Sequence, residues 1–148
     1  MTVEADFEQA VLAADLAGLE ALDDEQWDTV ADLAVAEGLG GLLYWRCKRA
    51  VVELPSKVQS RLRAEYWARA TDNFTALQHL GVVLDEFGCR EIEVVVLPGA
   101  PLLSLYPDPG CRPMDDIDVL VRPQQAVIAA AALAERGLSR RTDMMVSI

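Results

Sequence analysis

The 148-residue sequence has few residues that could form cross-links, and few basic residues. It contains three cysteines with no CxxC pair and a single histidine, His79, which argues against a Cys/His zinc site. Reduced thiols in a cytoplasmic protein are the simplest interpretation. The 13 basic and 24 acidic residues give a net charge of −11, which disfavours general nucleic-acid binding. A nucleotide accompanied by metal ions could still bind at a local acidic site.

Long apolar runs are also absent. No run approaches the roughly 20 residues that span a bilayer, so no membrane contact is expected. The acidic start MTVEADFEQA has neither the basic start nor the apolar core of a signal peptide. Hydrophobic residues nevertheless make up 52% of the chain, which is enough for a folded domain to bury a core. We therefore expect a soluble cytoplasmic protein.

Residues 1–87 are predicted to form a helical region, because apolar residues recur there at helical spacing. The predicted helices cover residues 3–17, 24–37 with Asp23 or Asp24 as cap, 40–51, and 55–87. The apolar side of the last helix is predicted to comprise Val58, Leu62, Tyr66, Phe74, Leu77, Leu80, Val83, Leu84 and Phe87. The residues interpreted as packing rather than as a stacking surface are Trp27, Trp45, Trp67, Tyr44 and Tyr66.

From residue 88 onward the pattern changes to alternating strands and helices. Predicted strands cover 92–97 and 114–121, a short helix lies between them at 100–106, and a helix runs from Pro123 to Gly137. A third strand is considered within 139–148. The predicted fold class is α+β, with an N-terminal helical bundle (1–87) followed by a small mixed β-sheet with flanking helices (88–148).

The segment RPMDDIDVLV, residues 112–121, places aspartates in a predicted strand, where they are unfavourable. Because side chains alternate along a strand, Asp116 and Asp118 should share a face. Two adjacent carboxylates repel each other, and Mg²⁺, which prefers oxygen ligands, would offset that repulsion. This spacing therefore favours a metal–nucleotide site. The alternative is a set of solvated acids on an edge strand, or acids paired with Arg112 and Arg122.

A second feature follows the first predicted strand. Gly99 and Ala100 lie between that strand and the short helix. A glycine at such a junction lets backbone N–H groups approach a phosphate, and a helix N-terminus would assist. The alternative is an ordinary turn that ends a strand.

The segment VVLPGAPLLSLYPDPGCRPMDDIDVLVRP, residues 95–123, resembles an uncharacterised bacterial nucleotidyltransferase-like family within the superfamily of DNA polymerase β. Family members carry a segment like LLKGAALA followed by LYPD-x-G-x-RPMSDIDLLV. The resemblance implies metal-dependent transfer of a nucleotidyl group from a nucleoside triphosphate to a hydroxyl of an unidentified acceptor, either a small molecule or a protein. It implies that Asp116 and Asp118 are catalytic ligands of Mg²⁺ or Mn²⁺, and that Gly99, Ala100 and Arg112 bind the nucleotide.

Two departures from the family pattern leave a second interpretation open. Pro98 replaces a lysine, which removes a cation and a backbone donor. The superfamily usually supplies a third carboxylate from a later strand, whereas Asp143 is the only acidic residue after Glu135. The chain is therefore expected to be a fragment, a short natural form or a degenerate enzyme. The alternative function is a catalytically degenerate relative that binds nucleotide or a partner protein without turnover, and an open sheet edge could pair two copies as a homodimer.

Overall fold

The structure, a computed structural model, describes residues 19–137. Helical segments make up 69% of it, and the described strands form one two-stranded antiparallel sheet. This composition is compatible with the predicted α+β class. The parallel pair that a mixed sheet requires is not found among residues 19–137. The helix predicted at 3–17 and the third strand considered at 139–148 lie outside the described residues.

Helix α1, Asp24–Ala36, begins where the sequence predicts, because a capping box fixes its first turn. The Asp23 carboxylate accepts a hydrogen bond from the Gln26 N–H at 2.9 Å, and the Gln26 side chain accepts one from the Asp23 N–H at 3.0 Å. The buried residues of α1 are Trp27, Val30, Ala31 and Ala34. Helix α2 covers Gly40–Ala50, also as predicted.

Helix α3, Ser56–Cys89, confirms the long predicted helix, but only part of its predicted apolar side is buried. Val58, Leu62, Val83 and Phe87 are buried. The prediction is wrong for Phe74 and Leu77, whose side chains are 62% and 36% exposed, whereas Asn73 is fully buried at 0%. The polar side chain takes the interior position because it binds backbone groups of a loop, as described below.

The chain divides into two compact units. The first unit contains the described residues up to Phe74 together with Leu103–Met114. The second unit contains Thr75–Leu102 and the described residues from Asp115 onward. This division follows packing, whereas the division predicted at residues 87 and 88 follows the change of pattern along the chain.

In the first unit, the segment Leu103–Met114 packs closely on helices α2 and α3. Its single turn of 3₁₀ helix, Pro109–Cys111, has Gly110 and Cys111 buried. A Cβ atom added at Gly41 would lie 1.9 Å from the Gly110 carbonyl oxygen, and one added at Gly110 would lie 2.7 Å from the Tyr66 ring. Only glycine therefore allows these two backbones to approach each other.

In the second unit, strands β1 (Val94–Val96) and β2 (Val119–Val121) pair with Val94 opposite Val121 and Val96 opposite Val119. One face of the pair packs on a core built mainly from α3 and from helix α4, Ala126–Glu135. The buried core residues are Val83, Phe87, Ile92, Ala129 and Ala132. On the opposite face, Val95 and Leu120 are 58% and 47% exposed. Both strands are shorter than predicted.

Alanine at Gly41 or Gly110 should lower the free energy of unfolding by about 2 kcal/mol or more, because the added methyl group overlaps neighbouring atoms. Gly81 of α3 is the matched control, since nothing lies within 4 Å of a Cβ atom added there. Gly81→Ala should raise the free energy of unfolding by about 0.5–1 kcal/mol. Urea denaturation of the three variants measures the difference. Equal stability of the Gly41 and Gly81 variants would contradict the close backbone approach.

Candidate functional site

Asp116 and Asp118 of RPMDDIDVLV lie on the outward-facing side of their segment. Exposure alternates residue by residue from Asp116 to Val121: Asp116, Asp118 and Leu120 are exposed, and the residues between them are partly buried. This alternation is the pattern of an extended chain with one face on the core. It supports, by position, the expectation that Asp116 and Asp118 share a face.

The strand pairing continues past β1 and β2 and brings the glycine turn to the aspartates. The Leu97 N–H donates a hydrogen bond to the Asp118 carbonyl at 2.9 Å, in the same register as the strands. Two residues further, a Cβ atom added at Gly99 would lie 4.0 Å from the Asp116 carbonyl oxygen. The backbones of Gly99 and Asp116 are therefore neighbours, although they lie 17 residues apart in sequence.

The backbone conformation at position 99 does not require glycine. Among the described glycines, only Gly38 and Gly137 have a positive φ. The two contacts of an added Cβ atom, at 3.9 and 4.0 Å, are ordinary van der Waals distances. Glycine is thus not needed for folding at this position; Gly99 is partly buried, and the neighbouring Ala100 is buried at 7% exposure.

The turn offers few backbone donors. Pro98 and Pro101 have no N–H group. Gly99 and Ala100, which lie between them, each have one backbone N–H group. The helix predicted after the turn is a five-residue 3₁₀ segment, Pro101–Leu105, and the Leu102 N–H bonds to the Gly99 carbonyl at 3.2 Å. The expected assistance from a helix N-terminus does not apply, because so short a segment has little aligned dipole.

The expected alternative in which Arg122 neutralises the aspartates is not observed. Arg122 donates instead to the Glu93 carboxylate at 2.7 Å. Within residues 19–137, neither Asp116 nor Asp118 forms an ion pair. Asp116 and Asp118 are thus two exposed carboxylates, two residues apart in sequence. No basic side chain among residues 19–137 forms an ion pair with them.

Arg112 belongs to the first unit, where the loop that carries it is held by a buried side chain. The Asn73 amide donates hydrogen bonds to the Pro109 carbonyl at 2.6 Å and to the Arg112 carbonyl at 2.7 Å. The Arg112 guanidinium lies 5.9 Å from the centre of the Tyr106 ring. Sequence analysis missed Asn73, although a polar residue between Tyr66 and Leu77 at helical spacing was a usable signal.

Two of the three cysteine thiols, Cys47 and Cys111, are buried. Burial raises the pKa of Cys47 to about 11. Burial, followed by the charge of Asp108, raises the pKa of Cys111 to about 12. Both thiols therefore stay protonated at neutral pH. The same loop raises the pKa of Tyr66, mainly through burial and then through a hydrogen bond with Asp108.

The donor set at Asp116 and Asp118 fits a hard cation that shares its coordination with substrate. Two carboxylates leave positions for phosphate oxygens and water, which is how Mg²⁺ commonly binds. No group of three or more His, Cys, Asp or Glu side chains able to hold a metal is found within residues 19–137. Asp143, considered as a third ligand, lies outside the described residues.

Comparison with known proteins assigns the chain to a class defined by nucleotidyl transfer. Residues 23–144 match the sequence model of an uncharacterised nucleotidyltransferase family, and the chain belongs to that family. The family resemblance of segment 95–123 is thereby confirmed. No curated protein and no solved structure matches the chain. Among the described residues, no helix is long and apolar enough to cross a membrane.

Replacing Asn73 with leucine should lower the free energy of unfolding by about 2–4 kcal/mol, because two carbonyl groups lose their donor in a buried place. Gln78→Leu is the matched control, since Gln78 is exposed on the same helix. Urea denaturation measures both changes. An Asn73 variant as stable as the Gln78 variant would show that the amide does not hold the loop.

Proposed function

We propose that the protein is a metal-dependent nucleotidyltransferase that moves a nucleotidyl group from a nucleoside triphosphate to a hydroxyl of an unidentified small molecule or protein. Family membership supports nucleotidyl transfer in general. The observation that carries the finer proposal is the pairing that makes the Gly99 backbone a neighbour of Asp116, with two carboxylates exposed and without ion pairs in residues 19–137.

In this proposal Asp116 and Asp118 hold Mg²⁺ or Mn²⁺. Such an ion, when bound, neutralises charge on the phosphates. The backbone N–H groups at Gly99 and Ala100 would lie beside the phosphates, and Arg112 is proposed as a nucleotide ligand on the family resemblance alone. These residues position the triphosphate so that the acceptor hydroxyl oxygen bonds to the α-phosphorus as the bond to the leaving pyrophosphate breaks, and the hydroxyl proton passes to solvent.

A second function, nucleotide binding without turnover, is favoured by a specific feature of the turn. Pro98 and Pro101 leave only two backbone donors there, and no lysine precedes Gly99. Weak phosphate contacts in the transition state would lower the rate more than the affinity. Release of pyrophosphate is the measurement that separates the two functions.

Asn at Asp116 or Asp118 should weaken Mg²⁺-dependent binding of ATP or CTP by about ten-fold or more, because a charged metal ligand is lost. Asp85→Asn is the control, since Asp85 is an exposed aspartate in the second unit. Isothermal titration calorimetry with and without Mg²⁺ measures the affinities, and a pyrophosphate assay tests turnover. Binding that does not depend on Mg²⁺, or that falls equally in the Asp85 variant, would contradict the assignment.

Gly99→Ala should change the free energy of unfolding by less than about 0.5 kcal/mol, because the added methyl group meets only ordinary contacts. It should weaken nucleotide binding several-fold, since the methyl group occupies the space through which a phosphate approaches the turn. Thermal denaturation and calorimetry measure the two effects. Full nucleotide affinity in a stable Gly99→Ala protein would exclude phosphate contact at this turn.

A further inference from the structure

Helices α2 and α3 form an aromatic groove that the proposed reaction does not use. Its volume is about 330 Å³. The lining residues are Tyr44, Trp45, Lys48, Arg49, Tyr66 and Trp67. All of them belong to the first unit, and none is among the proposed metal or nucleotide ligands. The volume is at the lower end of the range for small-molecule sites.

The aromatic rings of the groove are in contact with each other and partly open to solvent. The Tyr66 ring centre lies 5.3 Å from the centre of the Tyr44 ring and 5.3 Å from that of Trp67. Trp67 is 56% exposed, whereas Trp27, in the core, is 3% exposed. The interpretation of these aromatic residues as packing is confirmed for Trp27, whereas Trp67 packs edge-on against Tyr66 and leaves more than half of its side chain exposed. An exposed indole beside two further rings offers a surface on which a planar ring can stack.

The polar part of the groove is cationic, although the protein as a whole is strongly acidic. Lys48 and Arg49 are both exposed, and the Arg49 guanidinium lies 5.3 Å from the centre of the Trp45 ring. Neither forms an ion pair within the described part of the chain, and no acidic side chain is among the lining residues. In a chain of net charge −11, two unbalanced cations beside stacked rings suit a small anionic ligand.

We propose that this groove binds a small planar aromatic anion, with its ring on Trp67 and Tyr66 and its negative group at Lys48 and Arg49. The ligand class combines the two chemistries that the groove presents, a stacking surface and a pair of cations. A single small molecule is the occupant because the volume is too small for a peptide segment or a nucleic-acid strand.

The probe is 1-naphthyl phosphate, a planar ring with one phosphate group. Binding is followed by NMR through the indole N–H signals of the three tryptophans, with EDTA present so that no metal–nucleotide site is loaded. The signals of Trp45 and Trp67 should shift, while that of the buried Trp27 should not. 1-Naphthol and inorganic phosphate, which each lack one half of the probe, should bind at least about ten-fold more weakly. No shift at millimolar probe, a shift of Trp27 alone, or equal binding of inorganic phosphate would overturn the proposal.

Two sets of variants test the assigned residues. The double variant Lys48→Gln/Arg49→Gln and the single variant Trp67→Ala should each weaken probe binding by about ten-fold. Arg63→Gln and Phe74→Ala are matched controls, because Arg63 and Phe74 are exposed on α3 and do not line the groove. They should bind the probe like the wild type. Circular dichroism checks that each variant is folded.

If Lys48 and Arg49 only stabilised the end of their helix, the binding experiments would give a different result. Lys48 and Arg49 lie in the last turn of α2, where positive charge favours the helix end. If that were their only role, the double variant would be less stable and would still bind the probe with full affinity. That result, or an equal loss of binding in the Arg63 and Phe74 controls, would contradict the proposal.

Discussion

The antiparallel register that pairs Val94 with Val121 is the constraint on which the proposed metal–nucleotide site depends. Val94, Val119 and Val121 face the core in this register. A slip of β2 by one residue would turn Val119 and Val121 outward and turn Asp118 inward, where an unpaired carboxylate is costly. The hydrophobic effect thus selects the arrangement that keeps Asp116 and Asp118 on the open face.

Polar contacts hold the register at the end of the sheet away from the aspartates. The Glu93 N–H donates to the Gln125 side chain at 3.1 Å, and that side chain donates to the Glu91 carbonyl at 2.9 Å. Arg122 pairs with Glu93. Arg122 is the first basic residue after the aspartates in the sequence. Because it pairs with Glu93, it does not neutralise them.

The first unit depends on a different constraint, the buried Asn73 amide. It satisfies two carbonyl groups of the loop that carries Arg112, and the close approach of Gly41 and Gly110 lets that loop pack on the helices. Segment 103–123 is therefore divided between the units, since residues 103–114 belong to the first unit and residues 115–123 to the second unit. Its two parts are held in place by unrelated contacts.

The helices could be predicted because their signals are local. The Asp23 capping box and the apolar spacing of α3 need no knowledge of the rest of the chain. The strands were predicted too long because pairing is not local. β1 ends at Val96 and the turn begins after Leu97, so Asp116 and Ile117 lie outside strand β2 although their exposure still alternates.

Two features of the sites lay beyond sequence reasoning for a physical reason. The burial of Asn73 in place of Phe74 depends on a loop more than 30 residues away in sequence, which presents two carbonyl groups. The pairing of Arg122 with Glu93 rather than with an aspartate depends on the sheet register. By contrast, the prediction that the two aspartates share a face followed from strand alternation alone.

The central claim is that Asp116 and Asp118 hold one cation beside the Gly99 turn. Its most direct test is NMR line broadening by Mn²⁺, a paramagnetic ion that takes the same oxygen ligands as Mg²⁺. At low Mn²⁺ concentration, the amide signals of Gly99, Asp116 and Asp118 should broaden first and together, and excess Mg²⁺ should restore them. Broadening spread evenly over the acidic surface, or confined to the aspartates without Gly99, would contradict the account.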